Sequence, residues 1–233
     1  MQEKKGGGRR QNEVTTGLLL ILLAVSYVAS LLLDFKFVSP YATLQEDLSY
    51  LTEHIRSQKL SSITWLITAL ITALAAPFYF TLFRRKLKVM PYLNTLFMLC
   101  ASAGFLLMSF SGLGLHREIS GLLVEGIDLS GDQLKLHLLE KFREEQFYRL
   151  VGSSFVGLWS LGLSLSRFRI PRFPMVSSIL LMISGPALFF FNCFDPEHLG
   201  RTGAMAGIII GVAVFCVRLI NKGISEKAAE NLS

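Results

Sequence analysis

Six long apolar stretches dominate this chain, and none has an Asp, Glu, Lys, Arg or His near its middle. They run over residues 15–33, 61–83, 91–115, 150–166, 174–193 and 202–217. Ion-coupled pumps and proton relays keep ionisable side chains at depth despite the desolvation cost, so their absence argues against that class. The same absence removes the buried Lys of a retinal protein and the buried His of a b-type haem site. No cofactor is expected. Charge is scarce throughout: 17% of residues are charged, against about 25% in a typical soluble domain. Only three cysteines occur, Cys100, Cys193 and Cys216. Cys100 and Cys216 fall inside apolar stretches and only Cys193 lies near the outer surface, so no disulfide framework is expected, and the thiols read as small buried apolar groups. Catalytic signatures are missing too. There is no Gly-x-Ser-x-Gly elbow and no His-Glu-x-x-His motif, and Gly112-Leu113-Gly114 lacks the strand and further glycines of a phosphate loop.

What is present is hydrophobic length. Of the 233 residues, 52% are hydrophobic, and the mean hydropathy is +0.49. A helix crosses about 30 Å of hydrocarbon with roughly 20 residues, and most of the six stretches reach that length. The expected fold is therefore all-α: a polytopic integral membrane bundle of six transmembrane helices with two outer amphipathic helices. A leader over residues 1–14, with its Gly6-Gly7-Gly8 run, is expected to be disordered and cytoplasmic. Residues 15–222 form the transmembrane domain and 223–233 a cytoplasmic tail. The first apolar stretch is longer than a signal peptide's core and lacks a small-x-small cleavage site, so it reads as an uncleaved span.

The net charge of +6 does not indicate nucleic acid, because of how it is distributed. If the N-terminus is cytoplasmic and every stretch crosses once, the cytoplasmic segments hold 14 of the 23 basic residues and four acids. That leaves +10 inside and −4 outside. The short segments Arg84–Lys88 and Arg167–Arg172 carry four and three basic residues, as the positive-inside rule requires. Both termini are thus expected in the cytoplasm, with the protein in the cell inner (plasma) membrane.

Along the chain, Thr43 and Glu46 make a capping box. Leu44, Leu48, Leu51 and Ile55 follow on one helical stripe, which predicts an amphipathic helix over 43–58 outside the hydrocarbon. Pro77 and Gly185-Pro186 are candidate kinks. The third stretch runs out at His116-Arg117-Glu118 into the longest outer connection, residues 116–149. Within it Leu134, Leu138 and Phe142 predict a second outer helix over roughly 132–147, continuous with the fourth span. That span is rich in small residues, including Gly157, Ser160 and Ser164. In the sixth, Gly203, Gly207 and Gly211 stand four apart, a face that lets a neighbouring backbone approach closely. These three are expected to line the tightest helix contact, with the fourth span and its Gly157 as the intramolecular neighbour, or else to form a seam with another subunit.

The weak candidates for a metal site are His54, His116, His137 and His198. All fall on the expected outer side with acids nearby, but their spacing matches no ligand motif.

Two regions carry a resemblance. One is the outer helix with Leu48 and Ile55, running into the span that ends at Leu82-Phe83-Arg84. The other is Leu161–Gly185, an apolar span, an Arg/Ser-Pro inner turn and a following span ending in Gly. With these the chain resembles the large bacterial family of six-span membrane proteins grouped as domain of unknown function 4386. The resemblance implies a fold and a membrane location and transfers no site. Three functions follow as expectations. The leading one is a non-catalytic membrane component that packs with a partner membrane protein or a second copy as an accessory or assembly subunit. The others are a carrier or channel for a small neutral or lipid-like solute, and an outer-surface metal-dependent hydrolase.

Overall fold

In a computed structural model of the chain, residues 3–34, 55–84, 88–126, 132–166, 174–194 and 199–230 are described. Among them are six α-helices and no strand: α1 (Glu3–Asp34), α2 (Ile55–Phe83), α3 (Met90–Val124), α4 (Asp132–Leu165), α5 (Met175–Phe194) and α6 (Leu199–Glu230). All but α4 are long and apolar enough to cross a membrane. The first half of α4 carries the charges from Glu140 to Arg149, and its apolar half lies between α3 and α5.

Each helix packs chiefly on its two sequence neighbours, and α1 closes against α6. The helices therefore form a ring. Paired positions fix an alternating sense: Asn94 lies against Gly162 while Gly104 lies against Gly152, and Ser177 reaches Gly211 while Ser184 sits beside Gly207. Leucines, isoleucines and phenylalanines such as Leu18, Leu22, Leu70, Leu74, Phe110, Ile183 and Ile210 point outward and are exposed. Serines and threonines face inward: Ser30, Thr68, Thr72, Ser102, Ser109, Ser153 and Ser160 are buried. This inversion relative to a soluble protein suits a lipid surround.

Many of the inward hydroxyls are satisfied within their own helices. Thr68 donates to the Thr64 carbonyl at 3.0 Å, Thr72 to Thr68 at 2.7 Å, and Ser160 to Gly157 at 2.8 Å. A hydroxyl bonded back to its own turn leaves no orphan in an apolar interior. Others cross between helices: Ser102 to the Ala69 carbonyl at 2.8 Å, Ser177 to the Gly211 carbonyl at 2.7 Å, and Asn192 to Ser153 at 2.9 Å. Such bonds contribute about 0.6 kcal/mol each on average, so they set register more than they set stability.

Backbone approach is closest on both sides of α4. A Cβ added at Gly104 would stand 2.8 Å from Gly152 Cα, and one at Gly157 would stand 2.7 Å from the Gly185 carbonyl oxygen. The glycine face of α6 meets α5 rather than α4: Gly207 abuts Ser184, and Gly211 abuts Leu181. At Gly203 no described atom lies within 4 Å of where a Cβ would be. The expected α4–α6 pairing is corrected for a geometric reason. In a ring of sequential neighbours α4 spends its two small-residue faces on α3 and α5, and α6 is left to α5 and α1.

Two further expectations change, and a third holds. The leader is helical from Glu3, and the tail is helical to Glu230; extending an existing helix costs far less than starting one. α3 does not stop at 115 but continues through His116-Arg117-Glu118 to Val124, capped at Glu125 with Gly126 at φ 68°. Charged residues do not end a helix that has already left the hydrocarbon, and 35 residues span about 52 Å. The second outer helix is continuous with the fourth span as α4. It packs along α3, where Leu115 and Ile119 bury Leu138 and Leu139. The two make a hairpin that projects from the ring. Of the first outer helix, residues 43–54 lie outside the described residues, and 55–58 form the first turn of α2. α2 and α5 run on through Pro77 and Pro186.

Candidate functional site

α4 carries a stripe at steps of four and three: Leu138, Phe142, Glu145, Arg149, Gly152, Val156, Trp159 and Leu163. Every member is buried or half-buried: the face packs on α3 in the hairpin and points into the ring beyond it. Where the stripe is apolar the ring encloses a cavity. Where it is charged, near the projecting hairpin, the ring holds a polar cluster.

The cavity lies halfway along the bundle. Its walls are Leu23, Ala24 and Tyr27 of α1, Thr72 of α2, Met98, Ala101 and Phe105 of α3, Val156 and Trp159 of α4, and Ile208, Ile209 and Val212 of α6. Five of the six helices contribute. The cavity measures about 40 Å³ and is partly open at its edge. A water needs about 10–15 Å³ on such a measure, so the cavity has room for a small molecule.

Aromatic layers bound the cavity along the bundle. Toward the hairpin, Trp65 stands 4.7 Å from Phe105 and 5.3 Å, edge-on, from Tyr27 between ring centroids. Toward the chain termini, Tyr79 stands 6.3 Å from Trp159 and 4.5 Å from Phe83. Beyond that layer Asn94 donates to the Tyr79 hydroxyl at 2.7 Å, and its amide presses on Gly162, where any side chain would overlap it.

Beyond the Trp65 layer lies the charged part of the stripe. Glu145 is 3% exposed, Arg149 6% and Gln58 5%. Gln58 donates to Glu145 at 3.3 Å, and Ser62 donates to the Gln58 carbonyl at 3.1 Å. Gly112 makes room: a Cβ there would stand 3.1 Å from the Glu145 carboxyl and would overlap the Ser62 hydroxyl. Charges this deeply buried need partners, because their desolvation cost is several kcal/mol each. The sequence reading placed Glu145 and Arg149 in an outer connection and missed their burial. The four-three stripe is the signal that reveals it.

The histidine candidates separate. His116 lies on α3, its pKa lowered by partial burial and by the nearby Lys59 charge. His137 lies on α4 and meets Glu118 at 2.9 Å, and Lys141 donates to the same carboxylate. These bonds, that of Lys141 foremost, hold Glu118 below the usual carboxylate range. Among the described residues no three His, Cys, Asp or Glu side chains stand close enough together to hold a metal. His54 and His198 lie outside the described residues. All three cysteines are free, Cys216 buried and Cys193 exposed.

The ring, its lipid-facing leucines and its self-satisfied inward hydroxyls define an all-helical multi-pass membrane protein. The chain belongs to the family described as a domain of unknown function (DUF4386), whose model matches residues 15–223. That match runs from the apolar part of α1 through α6 and so takes in the whole ring. No curated protein and no solved structure matches the chain.

Proposed function

We propose that this protein is a carrier or receptor for a small neutral or lipid-like solute, held inside the ring. The supporting observation is the mid-bundle cavity, walled by five helices with an almost wholly apolar lining and flanked at both ends by aromatic layers. An apolar cavity excludes ions through their desolvation cost and accepts hydrocarbon, which accords with the lack of ionisable side chains at mid-depth. In this reading all six helices cross the inner membrane, the apolar half of α4 included, with both termini in the cytoplasm and the α3–α4 hairpin outside. Ala101 is the position for a test, because it lines the cavity and is 1% exposed. Protein purified in native lipid discs should release a bound neutral molecule under native mass spectrometry, and Ala101→Phe should release none while keeping its helix content. Wild-type protein that carries nothing, even after incubation with membrane extract, would sink the reading.

A second reading, the accessory or assembly subunit, has one specific support. At the tip of the hairpin Leu123, Val124 and Leu136 are exposed, in the part of α3 and α4 that projects from the ring. A stoichiometric partner that copurifies from native membranes and is lost in Leu136→Asp would favour it.

A further inference from the structure

The cavity walls stand at one depth. Ala24, Thr72, Ala101, Val156 and Ile209 each lie at or close to the centre of their apolar stretch. In a bilayer that level is the midplane, roughly 15 Å from either edge of the hydrocarbon, where the ends of lipid chains meet. The described walls also offer a guest no polar atom. The Thr72 hydroxyl proton is committed to the Thr68 carbonyl at 2.7 Å, and the Tyr27 oxygen and Trp159 nitrogen are buried out of reach. Water finds no partners in such a space. Hydrocarbon needs none: a void forfeits the dispersion contacts of its lining, and methyl or methylene groups restore them.

The open edge has a place in the ring. Wall residues that remain partly exposed are Leu23 and Ala24 of α1, Ile209 of α6 and Val156 of α4. α1 and α6 are neighbours. Their seam is tight toward the termini, where a Cβ at Gly17 would stand 2.8 Å from Ile220. At mid-depth the two helices carry the exposed wall positions, with Val156 on the far wall. Next to them Leu22, Val25 and Ile210 are exposed on the outer surface.

Resting on the carrier reading, we propose that the α1–α6 seam admits the hydrocarbon chain end of a membrane lipid, which fills the cavity while the headgroup stays at the bilayer surface. Depth argues for that occupant. Chain ends are already concentrated at the midplane, and no charged or hydrogen-bonding part of the lipid has to leave the interface. A free apolar solute shares the chemistry of the chain end, and the test separates the two.

Protein is placed in discs containing phospholipid with a photoreactive diazirine at the chain terminus, irradiated, and mapped by peptide mass spectrometry. The chain-end probe should label Val156 and Phe105, which line the cavity, as well as the outward Leu22 and Ile210. The same diazirine placed beside the headgroup should leave both interior residues unlabelled. Ala24→Trp, which fills the edge with a bulky ring, should lose the interior labelling and keep the outward labelling. The wild-type map decides the matter even if that variant fails to fold. Labelling confined to outward residues would overturn the proposal. If a free short-chain alkyl diazirine still labels Val156 in that case, the carrier reading stands with a free solute as occupant; if it does not, the carrier reading falls as well. Interior labelling that persists in folded Ala24→Trp would overturn the seam as the route, and with it the proposal.

Discussion

Alanine at Gly157, at Gly207 and at Gly203 should rank in that order of damage. At Gly157 the new methyl meets the Gly185 carbonyl, backbone that moves only if α4 and α5 separate, and overpacking of this kind costs about 1–3 kcal/mol. At Gly207 it meets the Ser184 hydroxyl, which can swing to another rotamer, so the cost is smaller. At Gly203 there is open space, and the expected change is within about 0.5 kcal/mol. Thermal unfolding of the three purified variants checks the order, and a Gly203 variant as damaged as the Gly157 one would show a contact on that face. The sequence displayed the glycine spacing in α6 clearly. It did not reveal which glycines face backbone and which face a hydroxyl, because spacing gives a face and not a neighbour. Glu145 and Arg149 show the opposite case: the stripe from Leu138 to Leu163 was there to be read, but charge drew the eye to solvent.

For single elements, helix existence was legible and helix ends were not. Hydropathy located the apolar part of α3, yet the helix continues past His116, because Ile119 extends the Leu115 stripe and buries it against Leu138 and Leu139. The hairpin so formed is locked by Glu118 with Lys141 and His137, and that lock is pH-dependent. The Glu118 pKa is lowered from 4.5 in the folded state. Its stabilising contribution is therefore fully present above that pH and disappears as the pH falls through the lower folded value. Amide protection over 115–124 and 134–142, taken relative to intrinsic exchange at each pH, should fall as the pH drops below about 4.5, while protection in the ring's interior stays high. Glu118→Gln should remove most of this dependence. An unchanged pH profile in that variant would mean other carboxylates hold the hairpin.

At the scale of the whole molecule, the membrane class followed from hydropathy, and the ring did not. Apolar length says that helices cross and says nothing of the order in which they stand. Topology is tested with cysteines introduced at Gln133 and Lys88 in a chain whose own three cysteines are replaced. An impermeant reagent outside the cell is expected to label position 133 and spare 88. The reverse pattern would invert the molecule and put the hairpin in the cytoplasm.

The seam between α1 and α6, where Gly17 lies against Ile220, joins the two extremes of the chain. A ribosome adds roughly 5–20 residues per second, so α6 emerges on the order of ten to thirty seconds after α1. For that interval the nascent protein is an open arc, its concave wall accessible from the side, and the last helix acts as a closing door. The wall along Leu23, Phe105 and Val156 therefore gains its last side, Ile208, Ile209 and Val212, only when that helix docks.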